Sequence, residues 1–545
     1  MSILASRAIG GLRDAVLTQA TGTATPLQTE LIKLYLAQIT DSELEDLDPG
    51  ALAAMAAAHL ELGAQRKPGE TLLRVFTPQE WDARGSTIAV IVADDHPFQV
   101  DTLVMELTRQ EWSLRGLSHP QPLVRRDEDG ALIEFGGGDL QEAWMALEIY
   151  PPLGHSAAEL SAQLVDGLRQ CLSAVDVTVA DWQPMLDRCR QAAADVRSDG
   201  LPGSTEAVEF LDWLTHGHFV FVGYAYYTGD TAALVPIDGS QLGVLRGETA
   251  IDRINLPTPG EREVLVIVRD PRRSPVHRRA YLTHLAVRRY ADDGRLVGEH
   301  RFLGLFSATV YSESLAGVPI LAGKASRLLA LSGYEPDSYG WNAVRKVITD
   351  FPRDELFEAA LPELAHLVSA IAGIRERRQV RVFLRRSRFG GFVTALVYVP
   401  RDRYDTATRL RIQEILLTAL GGVELEYHTL ISESILTRLF FVIRLAPDAP
   451  REPDVDMVVA DITKAALSWA DEFAERAATL PSEQRGVEFS DAYRADYAPA
   501  VAVADLIQAN RLSGPDDLRL VITAVTDPDD PADLRLKVFT VQEMS

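Results

Sequence analysis

The chain has 545 residues, room for about three to five domains of 100–200 residues each. Apolar residues make up 47% and charged residues 24%, which excludes disordered and collagen-like classes, and two cysteines, Cys171 and Cys189, exclude a disulfide scaffold. The net charge of −24 argues against a general binder of nucleic acid or anionic membrane, since both need basic surface.

Residues 1–80 read as a helical leader. Leu31, Leu34 and Tyr35 recur at helical spacing, 51–62 is rich in Ala and Leu, and Lys67-Pro68-Gly69 ends the stretch with turn residues. The N-terminus lacks the apolar core of a signal peptide. The charge-free stretch 213–229 falls short of the roughly 20 apolar residues a spanning helix needs. A reducing, cytoplasmic setting is the expectation.

From Thr87 an apolar run at 88–92 reads as a strand. Asp94-Asp95-His96-Pro97 breaks it, and Val100, Leu103, Val104 and Leu107 follow at helical spacing. Asp95 is expected to cap that helix, with Pro97 in its first turn. Residues 112–124 and 143–150 read as strands, Leu160, Leu164, Leu168 and Leu172 as a second helix, and 175–179 as a last strand. The order βαββαβ over 81–183 is the ferredoxin-like arrangement. A linker is expected over 184–205.

Residues 206–312 are strand-rich, with a β-branched and aromatic run at 219–227 and a hairpin turn at Asp292-Asp293-Gly294. Residues 313–377 return to helices. Over 378–480 the ferredoxin-like order is expected again. Strands lie at 382–384, 393–399, 423–429 and 439–445, one helix face carries Ile412 to Ala419, and a second runs from Val459 to Phe473. A further helical segment covers 481–513. Strands at 518–523 and 534–539 read as the start of a third domain over 514–545, truncated before it could bury a core. The fold class is α+β and multidomain, two ferredoxin-like units flanking a strand-rich one.

No dinucleotide fingerprint, Walker loop, zinc helix or nucleophile elbow occurs. His216-Gly217-His218 reads as a turn leading into a strand rather than a metal site. At Asp94-Asp95-His96-Pro97, a plain capped turn competes with a site where helix N–H groups hold a ligand's carboxylate. Arg385, Arg386 and Arg388 precede a Phe-Gly-Gly-Phe turn and are read as an anion or domain contact. Arg401, Asp402, Arg403 and Tyr404 alternate in sign like an interface loop, with Ser432 and Glu433 as its expected contacts. Residues 372–445 carry 13 Arg against 7 acids, a basic block that reads first as a solvated face.

Taken together, several segments resemble the large NAD-specific glutamate dehydrogenases of bacteria. They are DDHPFQVD at 94–101, HFVFVGY at 218–224, SPVHR at 274–278, GEHRFLGLF at 298–306, FPRDELF at 351–357 and FVTALVYVPRDRY at 392–404. The resemblance implies a non-catalytic N-terminal region with two ACT-like domains (81–183 and 378–480) around a PAS-like domain (206–312). It implies no cofactor in this chain, with NAD bound by a catalytic domain further along. The implied partners are a second copy, that catalytic region and an amino-acid effector, with no nucleic acid and no membrane. Asp94, Asp95, His96 and Asp101 are then the expected effector residues. The alternative is a scaffold that holds an oligomer and binds no ligand.

Overall fold

The computed structural model describes residues 13–44, 48–78, 86–230, 233–246, 263–374, 378–388, 390–430, 434–450, 453–481, 487–514, 516–524 and 534–541. The chain divides into two compact units, Met1–Ala365 and His366–Ser545.

The first unit opens with helices α1 (Pro26–Gln38) and α2 (Pro49–Gly63). Each starts at a proline behind a capping side chain, Thr25 and Asp48. Strands β1 (Leu72–Phe76) and β2 (Thr87–Asp94) follow, then α3 (Gln99–Arg109), β3 (Ser113–Ser118), a hairpin of β4 (Leu123–Arg126) and β5 (Leu132–Phe135), β6 (Leu140–Tyr150) and α4 (Ala157–Ala180). β2 and β6 are the inner strands, with β1 beside β2 and β3 beside β6, all antiparallel. Ile88, Val90 and Val92 pack towards α1 and α2, while Ala89, Ile91 and Ala93 pack towards α3 and α4. Helices on both faces explain why β2 reads as a continuous apolar run rather than an alternating one.

Three expectations are corrected here. Residues 175–179 lie inside α4, not in a strand. Their β-branched side chains suggest a strand, but Leu164, Leu168, Cys171, Leu172 and Val175 form one buried helical stripe. The edge position beside β2 is filled instead by β1, from before the unit's first inner strand. Residues 112–124 form two strands rather than one, and most of 184–205 is helical: α5 (Trp182–Asp199) and the start of α6 (Ser204–Trp213).

After α6 comes one antiparallel sheet of β7 (Phe219–Asp230), β8 (Ala233–Pro236), β9 (Leu265–Arg273), β10 (Tyr281–Tyr290) and β11 (Leu296–Phe306). Its order is β9-β10-β11-β7-β8. As expected, His216 and His218 sit in a turn before β7, their rings bonded to the carbonyls of Asp212 and Trp213. α5 is tied to the sheet through Asp195, which meets His300 and Arg289, and Asp199, which meets Arg289. Burial pushes His300 down to about 4, so the imidazole is neutral at pH 7. Helices α7 (Pro319–Leu331), α8 (Tyr339–Asp350), α9 (Arg353–Glu358) and α10 (Leu361–Ala372) follow. Lys324, on α7, closes the C-terminal end of α9 by donating to the carbonyls of Leu356, Phe357 and Ala359 at 2.8, 2.8 and 3.0 Å.

The second unit repeats the first sheet's plan. β12 (Arg381–Arg386), β13 (Phe392–Pro400), α11 (Thr406–Leu420), β14 (Gly422–Leu430), β15 (Leu436–Leu445) and α12 (Val455–Ala465) give the order β12-β13-β15-β14. One face, with Val393, Ala395, Val397 and Val399, packs on Ile412, Leu416, Val458 and Ile462. Both sheets therefore follow ββαββα, the first with an inserted hairpin. The corrected order keeps the ferredoxin-like neighbour relations but takes the outer strand from the N-terminal side. The stretch from Val459 to Phe473 is two helices, because Ser468 caps a new one, α13 (Trp469–Ala477). α14 (Pro499–Ala509) precedes a hairpin of β16 (Leu518–Ala524) and β17 (Leu534–Thr540), where two strands were expected. Among the described residues, no helix is long and apolar enough to cross a membrane.

Candidate functional site

The duplication places both polar turns noted in the sequence at one topological position, between the first inner strand and the helix after it. In the first copy β2 ends at Asp94, and α3 begins at Gln99 behind Phe98. Asp95 does not cap the helix. Its carboxylate accepts instead from the Gln121 amide at 2.7 Å. Gln99 braces the turn, donating to the Asp94 carbonyl at 2.9 Å and accepting from the His96 N–H at 3.3 Å.

The Asp94 carboxylate accepts from Arg66 at 2.5 Å and from the Gly69 N–H at 2.9 Å. Arg66 is fully buried and also meets Glu142 at 2.7 Å. Glu142, equally buried, takes a second guanidinium from Arg126 and the Trp144 indole N–H. Two cations and two carboxylates thus close under the turn. His96 bonds Asp176 of α4 at 3.2 Å, and this bond raises its pKa. Asp101, in the first turn of α3, accepts from His277 Nδ1 at 2.9 Å. The four expected effector residues lie between the end of β2 and the first turn of α3, and each is already bonded to a neighbour of this chain. No local pattern points to Arg66 and Glu142, which lie 76 positions apart.

In the second copy β13 runs into Arg401-Asp402-Arg403-Tyr404, and Asp405 caps α11 by accepting from the Thr408 N–H at 2.6 Å. Asp402 pairs with Arg378 at 2.6 Å, which holds its carboxyl below the usual range, and Arg403 pairs with Asp471 of α13 at 2.9 Å. The Arg401 N–H donates to the Ile435 carbonyl, and Tyr404 meets Thr429. This turn lines a cleft of about 730 Å³ bounded by α11, α12 and α13, with charges of both signs. Ser432 and Glu433 lie outside the described residues. Arg385, Arg386 and Arg388 are not brought to this turn. They lie towards the β12–β13 connection, at the other end of β13, roughly 20–30 Å away at the usual strand rise. Arg386 donates there to the Pro450 carbonyl.

Cys171 and Cys189 are buried, and burial pushes both thiols up to about 12, out of the range of reactive cysteines. Among the described residues, no group of three His, Cys, Asp or Glu side chains is arranged to hold a metal ion.

Comparison with known proteins adds three family matches. Residues 31–164 match glutamate dehydrogenase, ACT1 domain; residues 381–470 match glutamate dehydrogenase, ACT2 domain; and residues 318–377 match glutamate dehydrogenase, helical motif 1. Among curated proteins, the NAD-specific glutamate dehydrogenase of Halomonas elongata is 30% identical over 92% of this chain, and that of Pseudomonas aeruginosa 32% over 87%. The Mycobacterium tuberculosis protein of the same name is 29% identical over 86%. The chain spans about a third of the length of these relatives: 33%, 31% and 30% respectively.

Proposed function

The chain belongs to the NAD-specific glutamate dehydrogenase family, and from that premise we propose that it is the regulatory and assembly region of such an enzyme. The parent reaction would convert L-glutamate, NAD and water to 2-oxoglutarate, ammonia and NADH, with NAD held by a catalytic region outside these residues. The observation that carries the reading is the duplicated ββαββα unit, whose two copies overlap the ACT1 and ACT2 matches. The antiparallel sheet between them is the domain we read as PAS-like. The β16–β17 hairpin repeats the hairpin that opens each unit and exposes Leu518, Leu520, Ile522 and Leu536. We read it as the opening of a third unit.

In this reading the region associates with a second copy and with the catalytic region, in the cytoplasm, and its ACT-like units sense an amino acid around residues 94–101. A ligand that changes activity must bind one quaternary state better than another. One observation favours a second reading, a scaffold without a ligand: Arg66, Gly69 and Gln121 already hold Asp94 and Asp95.

The test of the parent reading is to incubate the purified 545-residue chain with glutamate and NAD. No NADH should form, and sustained NADH production would overturn the assignment of catalysis to residues outside it. Effects of the chain on a full-length relative's assembly, followed by mass photometry, would report the assembly role.

A further inference from the structure

α4 and the central sheet enclose a cleft of about 660 Å³, a size suited to a small molecule. One side is a stripe of α4. The other is the turn at Gly243, the end of β9, and Leu282 and Leu303 on β10 and β11. Three arginines line it, Arg246, Arg272 and Arg273. No acidic side chain among the described residues does, in a chain whose net charge is −24.

We propose that this cleft binds a small organic anion, an oxyanion head group on an apolar body. The site is separate from residues 94–101 and does not depend on sensing there. Two of the arginines are fixed from behind. Asp181 is buried and accepts from the Gly243 N–H at 2.6 Å and from Nε and Nη2 of Arg246. One carboxylate thus sets both the turn and the guanidinium it carries. Nη1 of Arg246 makes no hydrogen bond to a described residue, and the side chain is 56% exposed. Arg272 is held the same way, its Nε and Nη2 each donating at 2.9 Å to the fully buried Asp270. Arg273 lies over the Tyr281 ring, 4.1 Å from its centroid. Guanidinium groups oriented in advance suit carboxylate and phosphate oxygens and lose little freedom on meeting them.

The floor is apolar. Leu282 and Leu303 are buried in the core of the central sheet, with Val244 packed against them. An inorganic ion would leave this surface wet, whereas a hydrocarbon body covers it. His284 borders the floor, since it shares the Leu282 face of β10 and pairs across the strands with Leu303. Its ring is buried and neither nitrogen has a hydrogen-bond partner; the Asp270 carboxylate, 3.9 Å away, is too far to supply one. Burial holds the pKa below the ordinary imidazole range, so the ring is neutral at pH 7 and offers one donor and one acceptor. Such an unmet position beside the cleft is where a polar atom of a ligand, or a water, belongs.

Isothermal titration of the 545-residue chain with matched probes tests this. Hexyl phosphate and hexanoate share a hydrocarbon body and differ in head group. At least one should bind, and the tighter of the two identifies the head group. Inorganic phosphate, which lacks the body, and hexylamine, which carries the opposite charge, should bind at least about 10-fold more weakly. Arg273→Gln removes one lining cation. Ser173→Glu adds a carboxylate from the α4 stripe and leaves every arginine in place. Each should weaken the better probe roughly 10-fold. Ser173 is exposed within a helix, where Glu is the better helix former, so circular dichroism should show unchanged folding. No binding of either anion, equal binding of hexylamine or of inorganic phosphate, or binding that Ser173→Glu leaves unchanged would overturn the proposal.

Discussion

Replacing Arg66 by Met should destabilise the first unit by about 3–5 kcal/mol, the cost of removing one cation from a buried cluster of ion pairs. The side chain is fully buried and makes three directed contacts: Glu142 at 2.7 Å, Asp94 at 2.5 Å and the Glu70 carbonyl at 2.6 Å. Met preserves most of the volume, so the loss is electrostatic. With Arg66 in place, Arg66 and Arg126 balance Asp94 and Glu142; without it one net negative charge remains beneath the sheet. Asp94 is partly exposed and keeps the Gly69 N–H, so it can turn to water. Glu142 cannot; it keeps the Arg126 fork at 2.7 and 2.9 Å but loses its second guanidinium, and the excess negative charge beneath the sheet is the source of the penalty. Adding Glu142→Gln to Arg66→Met restores net neutrality and leaves an oxygen for Arg126 and Trp144. The double variant should therefore recover at least about 1 kcal/mol, a non-additivity expected only of contacting residues. Native-state hydrogen exchange reads this locally, which matters in a chain with several domains. Amides of β2 and β6 should exchange roughly 100- to several-thousand-fold faster in Arg66→Met. A loss under about 1 kcal/mol, or a second substitution that adds to the first, would refute the reasoning.

The His96–Asp176 pair should show a defined pH dependence. The bond to Asp176 raises the folded pKa of His96 above the ordinary imidazole value of about 6.5, so its stabilisation is complete below that value and fades as pH rises through the folded value. His96→Gln should lower the melting temperature at pH 5.5 and converge with wild type by pH 9; a constant gap would refute the pairing. Lys324→Met should cost about 2–4 kcal/mol in thermal melts, because three carbonyls at the end of α9 lose one charged donor. Lys324→Arg should rescue little of it, since a planar fork cannot aim three donors from one point. A Cβ on Gly63 would run into the Trp144 ring, so Gly63→Ala should cost about 1–3 kcal/mol in urea denaturation, and pairing it with Trp144→Phe should relieve part of that.

Most inner strands were legible because burial imposes local patterns. β2 is apolar throughout because α1 and α2 cover one face and α3 and α4 the other. The edges were not legible. β1 is five residues with an exposed Arg74 at its centre, and its place is set by pairing Leu72 with Val92, a contact no local pattern encodes. The β-branched residues near Val175 mimicked a strand until the helical stripe through Leu168 and Cys171 outweighed them. At the candidate site the polar turns could be found from composition, but not their partners. Whether Asp94 faces solvent or an arginine depends on Arg66, which arrives from the end of α2. His277 likewise reaches Asp101 from a different sheet.

The equivalence of the two turns bears on how a duplicated unit divides its work. Where an inner strand hands over to a helix, backbone N–H groups and a change of chain direction converge, so any copy of the unit starts with a polar turn there. What the turn then does depends on what surrounds it. In the first copy Arg66, Gln121 and Asp176 reach it from three other segments and satisfy its side chains, which turns it into a joint. In the second copy Asp405 caps the helix, and Asp402 and Arg403 pair with partly exposed residues beside a cleft of about 730 Å³. That difference predicts an asymmetry. Neutralising Asp94 to Asn should lower stability, because Arg66 is buried with it. Neutralising Asp402 to Asn should change stability by less than about 1 kcal/mol, as for other exposed ion pairs. Equal losses at the two positions would show that the copies use the turn in the same way.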